Sequence, residues 1–287
     1  MNGDKHVGVI GLGLMGTAIT ERLLESGYAA SVWNRSREKA NSLLSKGAVW
    51  SDNPLAECKR VIVSLYTSEI VAKVIDRMSS GLQDGQLIID ITTGEPSDAV
   101  TLAHRLAERG VRYLDAPISG SSVQTRQGEA TVMVGGVKSD FDACADLWPI
   151  LGGRTFYIGP CGSAAKVKLV TNLVLGLNRA ALAEGLVFAE AIGVAPDVAL
   201  EVLQGSAAYS KAMDIKGRKM IEGDFSVQAK LSQHFKDVRM VLDAATTRGM
   251  ELPLTQTHAE LLARAEASGF GQLDNSAIIN IYRKPNL

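Results

Sequence analysis

Cysteine is scarce in this chain: three residues in 287, Cys58, Cys144 and Cys161, odd in number and scattered, with no CxxC pair. A disulfide-built scaffold is thereby excluded, and a reducing, cytoplasmic setting is expected. The four histidines, His6, His104, His234 and His258, form no ligand spacing with the cysteines, so no metal site is expected. Aromatic residues make up only 5%. Neither charge sign dominates: 30 basic residues face 31 acidic ones, for a formal net charge of −1. Without a global positive field, nucleic acid and acidic membranes are not expected partners. The opening MNGDKHVGVIG lacks the basic and apolar regions of a signal peptide. There is no GxSxG elbow, no Walker A sequence, no internal repeat and no low-complexity linker. The longest apolar region, residues 167–192, is interrupted by Lys168, Asn172, Asn178, Arg179, Glu184 and Glu190. Burying those charges in lipid costs about 2.5–3.5 kcal/mol each, so a buried helix of a water-soluble protein is expected.

What is present has a clear division. Up to about Gly162, short β-rich runs (6–10, 30–33, 60–64, 87–91, 111–114, 131–134) alternate with helical stretches such as 96–109. That alternation predicts a mostly parallel sheet covered on both faces. Beyond it the pattern is helical: 163–192, 197–203, 210–222, 229–248 and 255–267. The fold class is therefore α/β, a Rossmann-like domain over 1–162 followed by an all-α domain over 163–287 that begins with a long interdomain helix. At about 1.5 Å per residue that first helix is about 45 Å long. It is apolar nearly all round and must be enclosed by its own domain or by a second subunit.

Gly11, Leu12, Gly13, Leu14, Met15 and Gly16 form GxGxxG between the first strand and a helix. In that context the glycines permit a tight turn, close pyrophosphate approach and strand–helix packing. The helix N-terminus then offers free N–H groups to phosphate. At the end of the second strand, where an NAD site usually carries Asp or Glu, stand Asn34, Arg35, Ser36 and Arg37. No carboxylate repels a phosphate there, and two guanidiniums and a hydroxyl can bind one. NADP(H) is therefore expected over NAD(H). The alternative is that both arginines are solvated at a helix start.

The GLGLMG loop, Asp115-Ala-Pro-Ile-Ser-Gly-Ser121, Gly162-Ser-Ala-Ala-Lys-Val-Lys168-Leu-Val-Thr-Asn172, Lys236-Asp237 and Gly271-Gln-Leu-Asp-Asn-Ser276 occur in that order. Together they resemble the signatures of the β-hydroxyacid dehydrogenases, 3-hydroxyisobutyrate dehydrogenase-like proteins related to 6-phosphogluconate dehydrogenase. The resemblance spans essentially the whole chain. It implies Lys168 as the catalytic residue with Asn172 beside it, and Ser119, Gly120 and Ser121 as the loop for a substrate carboxylate. It also implies Thr93 and Lys236 as cofactor contacts, and a homodimer or homotetramer. For Lys236 an ion pair with a helix neighbour is the other reading. Ser121 and the KVKLVTN form resemble the glyoxylate/succinic semialdehyde reductases. Ala229, where some members carry a pocket aromatic, departs from the pattern and leaves the subgroup open.

The chemistry agrees. Hydride delivered to a carbonyl carbon leaves charge on oxygen, which a positioned ammonium can stabilise and protonate. Lys166 and Lys168 are about 200° apart on a helix, and Asn172 shares the face of Lys168. The expected activity is NADPH-dependent interconversion of a small carboxylate-bearing aldehyde or ketone and its hydroxyacid. Two rivals are an imine reductase on the same scaffold, whose members usually replace the lysine, and a non-catalytic NADP-binding sensor or scaffold.

Overall fold

The computed structural model describes residues 5–283. The chain divides into two compact units, Met1–Lys168 and Leu169–Leu287.

The first unit is a nine-stranded sheet: β1 (His6–Ile10), β2 (Ala29–Trp33), β3 (Val49–Trp50), β4 (Arg60–Val63), β5 (Leu87–Asp90), β6 (Arg112–Asp115), β7 (Ile118–Ser119), β8 (Thr131–Gly135) and β9 (Arg154–Gly159). Their order is β3-β2-β1-β4-β5-β6-β8-β7, with β9 paired to β8. All pairs from β3 to β6 are parallel, and β8 runs antiparallel to β6 and β7. The first six strands have the order of a doubly wound dinucleotide fold, which reverses between β1 and β4. Both faces are covered, which is why these strands read as apolar runs. Val7, Val9, Ile62 and Ile89 join the core on one face, and Ile10, Val61, Val63 and Ile88 join that on the other. The period of two thus feeds two cores from one sheet.

The helix expected over 96–109 is Pro96–Ala107, with proline at its start. That expected over 163–192 is Ser163–Ala191, a single element of 29 residues. Among the described residues it is the one helix long and apolar enough to cross a membrane.

In the second unit that helix continues among Pro196–Gln204, Lys211–Glu222, Leu231–Thr246 and Pro253–Ala267. Leu182, Leu186, Leu200, Met220, Leu231, Val238, Leu262 and Ile278 form its core. Asp274, fully buried, ties several segments together. It receives Lys216 Nζ at 2.8 Å and the backbone N–H groups of Gln228 and Ala229 at 2.9 and 3.1 Å. The GQLDNS motif is thus a structural clasp that fixes the chain entering the Leu231–Thr246 helix. Breaking a buried pair of this kind costs about 3–5 kcal/mol, because one charge is left alone.

Candidate active site

The glycine loop sits where the strand order reverses, at the carboxyl ends of β1 and β4. Gly11 has φ +100°, and a Cβ there would lie 2.1 Å from Ser64 O. A Cβ on Gly16 would lie 1.9 Å from Gly11 O. No other residue fits at either position without moving the backbone. Gly13 differs: nothing lies within 4 Å of its would-be Cβ, so it faces open space. It is also the N-cap of the Leu14–Glu25 helix, which has no side-chain cap and no acid in its first turn. Leu14 is exposed and Met15 half-buried. A bare, positive helix end beside open space fits a dinucleotide pyrophosphate.

Asn34 acts on this loop through both ends of its amide. Its Oδ1 accepts the Leu12 N–H at 3.0 Å, and its Nδ2 donates to Ser36 O at 3.0 Å. It therefore ties the glycine loop to the turn after β2. Arg35 is exposed and Ser36 half-buried, while the Arg37 guanidinium lies 5.0 Å from the centre of the Trp50 ring. An exposed cation within a turn already tied to the glycine loop is a fitting partner for a ribose phosphate.

Thr93 is positioned through its neighbour. Thr92 Oγ1 accepts the Leu65 N–H at 3.0 Å, joining the turns after β4 and β5. Asp90 holds Thr92 from below, accepting its N–H at 2.8 Å and the Tyr113 hydroxyl at 2.7 Å. Burial raises the Asp90 carboxyl to about 6 against those bonds.

Ser119, Gly120 and Ser121 turn from β7 into the Ser122–Arg126 helix. Ser121 forms a capping box: its hydroxyl accepts the Gln124 N–H, and Gln124 Oε1 accepts the Ser121 N–H at 2.9 Å. Its N–H is therefore committed to the helix, and the half-buried Ser119 and Gly120 are the open part of the turn. The short helix lies against the glycine-loop helix. Thr125 Oγ1 contacts Met15 Sδ at 3.8 Å, and Arg22 donates to Arg126 O at 3.0 Å.

Asp115 links this turn to the long helix. Its carboxylate accepts the Gly162 and Ala165 N–H groups at 2.9 and 3.0 Å, capping the first turn. Burial pushes this carboxyl up, opposed by the same N–H groups. The aspartate of the DAPISGS motif is thus an anchor for the helix that carries Lys168.

On that helix Lys166 is exposed and Lys168 only 7% exposed, which separates the two lysines. Asn172, one turn on and 4% exposed, donates from Nδ2 to Asp237 Oδ2 at 2.9 Å. Asp237 Oδ1 lies 3.1 Å from Lys236 Nζ, so Lys236 has the helix-neighbour ion pair. Asp237 itself was not singled out in the sequence as a functional group; the Lys236-Asp237 dipeptide among the motifs was its signal. It fixes the Asn172 amide with Nδ2 toward the carboxylate and Oδ1 free to accept.

Residues 6–159 match the family described as the NAD binding domain of 6-phosphogluconate dehydrogenase. Residues 162–282 match that described as NAD-binding of NADP-dependent 3-hydroxyisobutyrate dehydrogenase. The chain is 29% identical to glyoxylate/succinic semialdehyde reductase 1 of Arabidopsis thaliana, over 96% of this chain and 97% of that protein. It is 30% identical to 2-(hydroxymethyl)glutarate dehydrogenase of Eubacterium barkeri, over 97% and 95%. The crystal structure of 3-hydroxyisobutyrate dehydrogenase from Salmonella typhimurium superposes with a TM-score of 0.88 at 26% identity, covering 96% of this chain and 99% of that one. Matched along both units in the order its motifs run, the chain belongs to the β-hydroxyacid dehydrogenase family of nicotinamide-dependent oxidoreductases.

Proposed function

We propose that the protein is an NADPH-dependent reductase of small carboxylate-bearing aldehydes or ketones, run in either direction between carbonyl and hydroxyacid. One observation carries this reading: Lys168 is buried on a helix beside Asn172, whose amide is held by Asp237. An ammonium positioned on a buried face can stabilise a developing alkoxide and give it a proton.

The nicotinamide, when bound, supplies or accepts hydride. Gly11, Leu12, Gly13, Leu14, Met15 and Gly16 cradle its pyrophosphate, with Arg35 and Ser36 at the 2′-phosphate and Asn34 holding that turn in place. Thr93 and Lys236 make further cofactor contacts. Ser119 and Gly120 orient the substrate carboxylate, with the Ser121 hydroxyl proton still available to it. Lys168 Nζ donates a proton to the carbonyl oxygen as negative charge grows there, and as the neutral amine it takes that proton back in oxidation. Asn172 accepts from the lysine or donates to the substrate oxygen, in an orientation set by Asp237. The chain's likeness to relatives named for semialdehyde reduction and hydroxyacid oxidation supports this substrate class.

The protein also self-associates in this reading, as a homodimer or homotetramer. Val170, Val174 and Phe188 lie on one stripe of the long helix, 62%, 50% and 63% exposed, about 200° from Lys168. An apolar stripe of this kind marks an interaction surface.

The test is oxidation of NADPH and NADH in parallel over glyoxylate, succinic semialdehyde, methylmalonate semialdehyde and tartronate semialdehyde. Turnover of at least one acid with NADPH preferred is expected. Tight NADPH binding without turnover on any acid, or turnover of an imine alone, would overturn the reading.

A further inference from the structure

Arg179, on the long helix of the second unit, is only 3% exposed. Among the described residues its Nη1 has no hydrogen-bond partner and its guanidinium forms no ion pair. Buried polar groups are nearly always paired, and an uncompensated buried cation costs several kcal/mol by order of magnitude. The nearby carboxylate, Asp274, is already committed to Lys216, to three backbone N–H groups and to the Ser276 hydroxyl. The local sum of Arg179, Lys216 and Asp274 is therefore one surplus positive charge.

A second feature adjoins it. Gly176, three residues before Arg179, leaves room for two imidazoles: a Cβ there would lie 2.7 Å from His234 Nε2 and 3.3 Å from His258 Nε2. The two Nε2 atoms are 3.1 Å apart, so one ring donates and the other accepts. The His258 Nδ1 on the far side of its ring is buried without a partner. Burial first, and Arg179 second, push His258 down to about 4, so this ring adds no charge of its own near neutrality. The cluster therefore offers the Arg179 guanidinium and the His258 Nδ1, each with a buried nitrogen that no protein group meets among the described residues, while the Asp274 carboxylate is engaged by Lys216.

We propose that the helical unit holds a buried anion site in which the Arg179 guanidinium takes a carboxylate or phosphate group beside the His234–His258 pair. Arg179 lies eleven residues beyond Lys168, within about 20° of the same stripe but about 16 Å further along the axis. A group bound there belongs either to the far end of a long acid whose carbonyl meets Lys168, or to a separate small anion. The site stands without the reductase reading; only its assignment to a substrate rests on that reading.

Two measurements on the full chain test this. The first is thermal unfolding of wild type, Arg179→Met and Arg179→Lys with inorganic phosphate or glutarate, at constant ionic strength held with chloride. Wild type should gain several degrees with saturation. Arg179→Met should not respond, and should unfold at a higher temperature than wild type without the anion, since it removes an unpaired buried charge. Arg179→Lys should respond partly, because a point charge replaces the fork. The second compares kcat/KM for a series of aldehyde acids with progressively longer ω-carboxylate tails. If the anion is the far end of a substrate, the wild-type to Arg179→Met ratio should climb at least tenfold along the series. A flat ratio with an anion-dependent wild type assigns the site to a separate anion. Equal responses of wild type and Arg179→Met, or none in either, overturn the proposal. So does loss of self-association in Arg179→Met without any anion response, since a carboxylate of a second copy would then be the partner. Absence of turnover on all acids would count against the reductase reading and leave the unfolding test intact.

Discussion

In the proposed reading, single side chains carry coenzyme choice and proton transfer. The turn after β2 carries Asn34 and Arg35 where an acid would exclude a phosphate, and Asn34 is occupied with the glycine loop. The proposed preference for NADPH therefore rests on the exposed Arg35. Arg35→Ala should weaken NADPH binding about ten- to hundredfold, the loss of one charged hydrogen-bonding partner, with NADH binding changed less than threefold. Fluorescence titration with both coenzymes measures it, and equal losses would remove the 2′-phosphate role. His258 gives a residue-level dependence on pH. Its folded value, about 4, lies below the ordinary 6.5. The fold holds it neutral, so its contribution is complete above pH 6.5 and is lost as pH falls toward 4, while the unfolded chain takes up the proton. A shift of this size corresponds to roughly 3 kcal/mol. Denaturant unfolding of His258→Leu should show a shallower decline than wild type between pH 6.5 and 4. An unchanged slope would contradict this origin.

At the scale of elements, the long helix is the main positioning device, and Asp115 is its anchor. Asp115→Ala should cost about 1–2 kcal/mol of stability through the lost cap. Because Lys168 lies one turn beyond Ala165, kcat should fall in the same variant with coenzyme binding nearly unchanged. Unaltered kcat at full occupancy would separate the cap from the site. The elements themselves were largely legible in the sequence. Strands such as VGVI, RVIV and LIID are buried on both faces and stand out as apolar runs, and the helices that follow them show clear periodicity. The exceptions have a physical cause. β3 and β7 are two residues each, defined only by their neighbours' hydrogen bonds, and β9 is partly exposed, so its composition carries little signal. Within the site, the glycine loop could be read from local pattern, and the Lys168–Asn172 spacing from the family resemblance. The capping box of Ser121, the grip of Asp237 on Asn172 and the isolation of Arg179 could not. Each depends on which side chain a distant or competing partner engages.

For the whole molecule, the exposed face of the long helix predicts association. Phe188→Glu places a charge on the apolar stripe and should shift the protein toward smaller species by sedimentation, at protein concentrations where wild type is associated. An unchanged sedimentation profile would place the interface elsewhere. The central claim is that this molecule is an enzyme whose proton is handled by Lys168, and it is tested most directly by Lys168→Ala on the best acid of the panel, with NADPH affinity measured alongside. The account predicts a fall in kcat of about 10²–10⁴-fold, with NADPH binding within about threefold of wild type. Full residual turnover, or loss of NADPH binding together with activity, would contradict it.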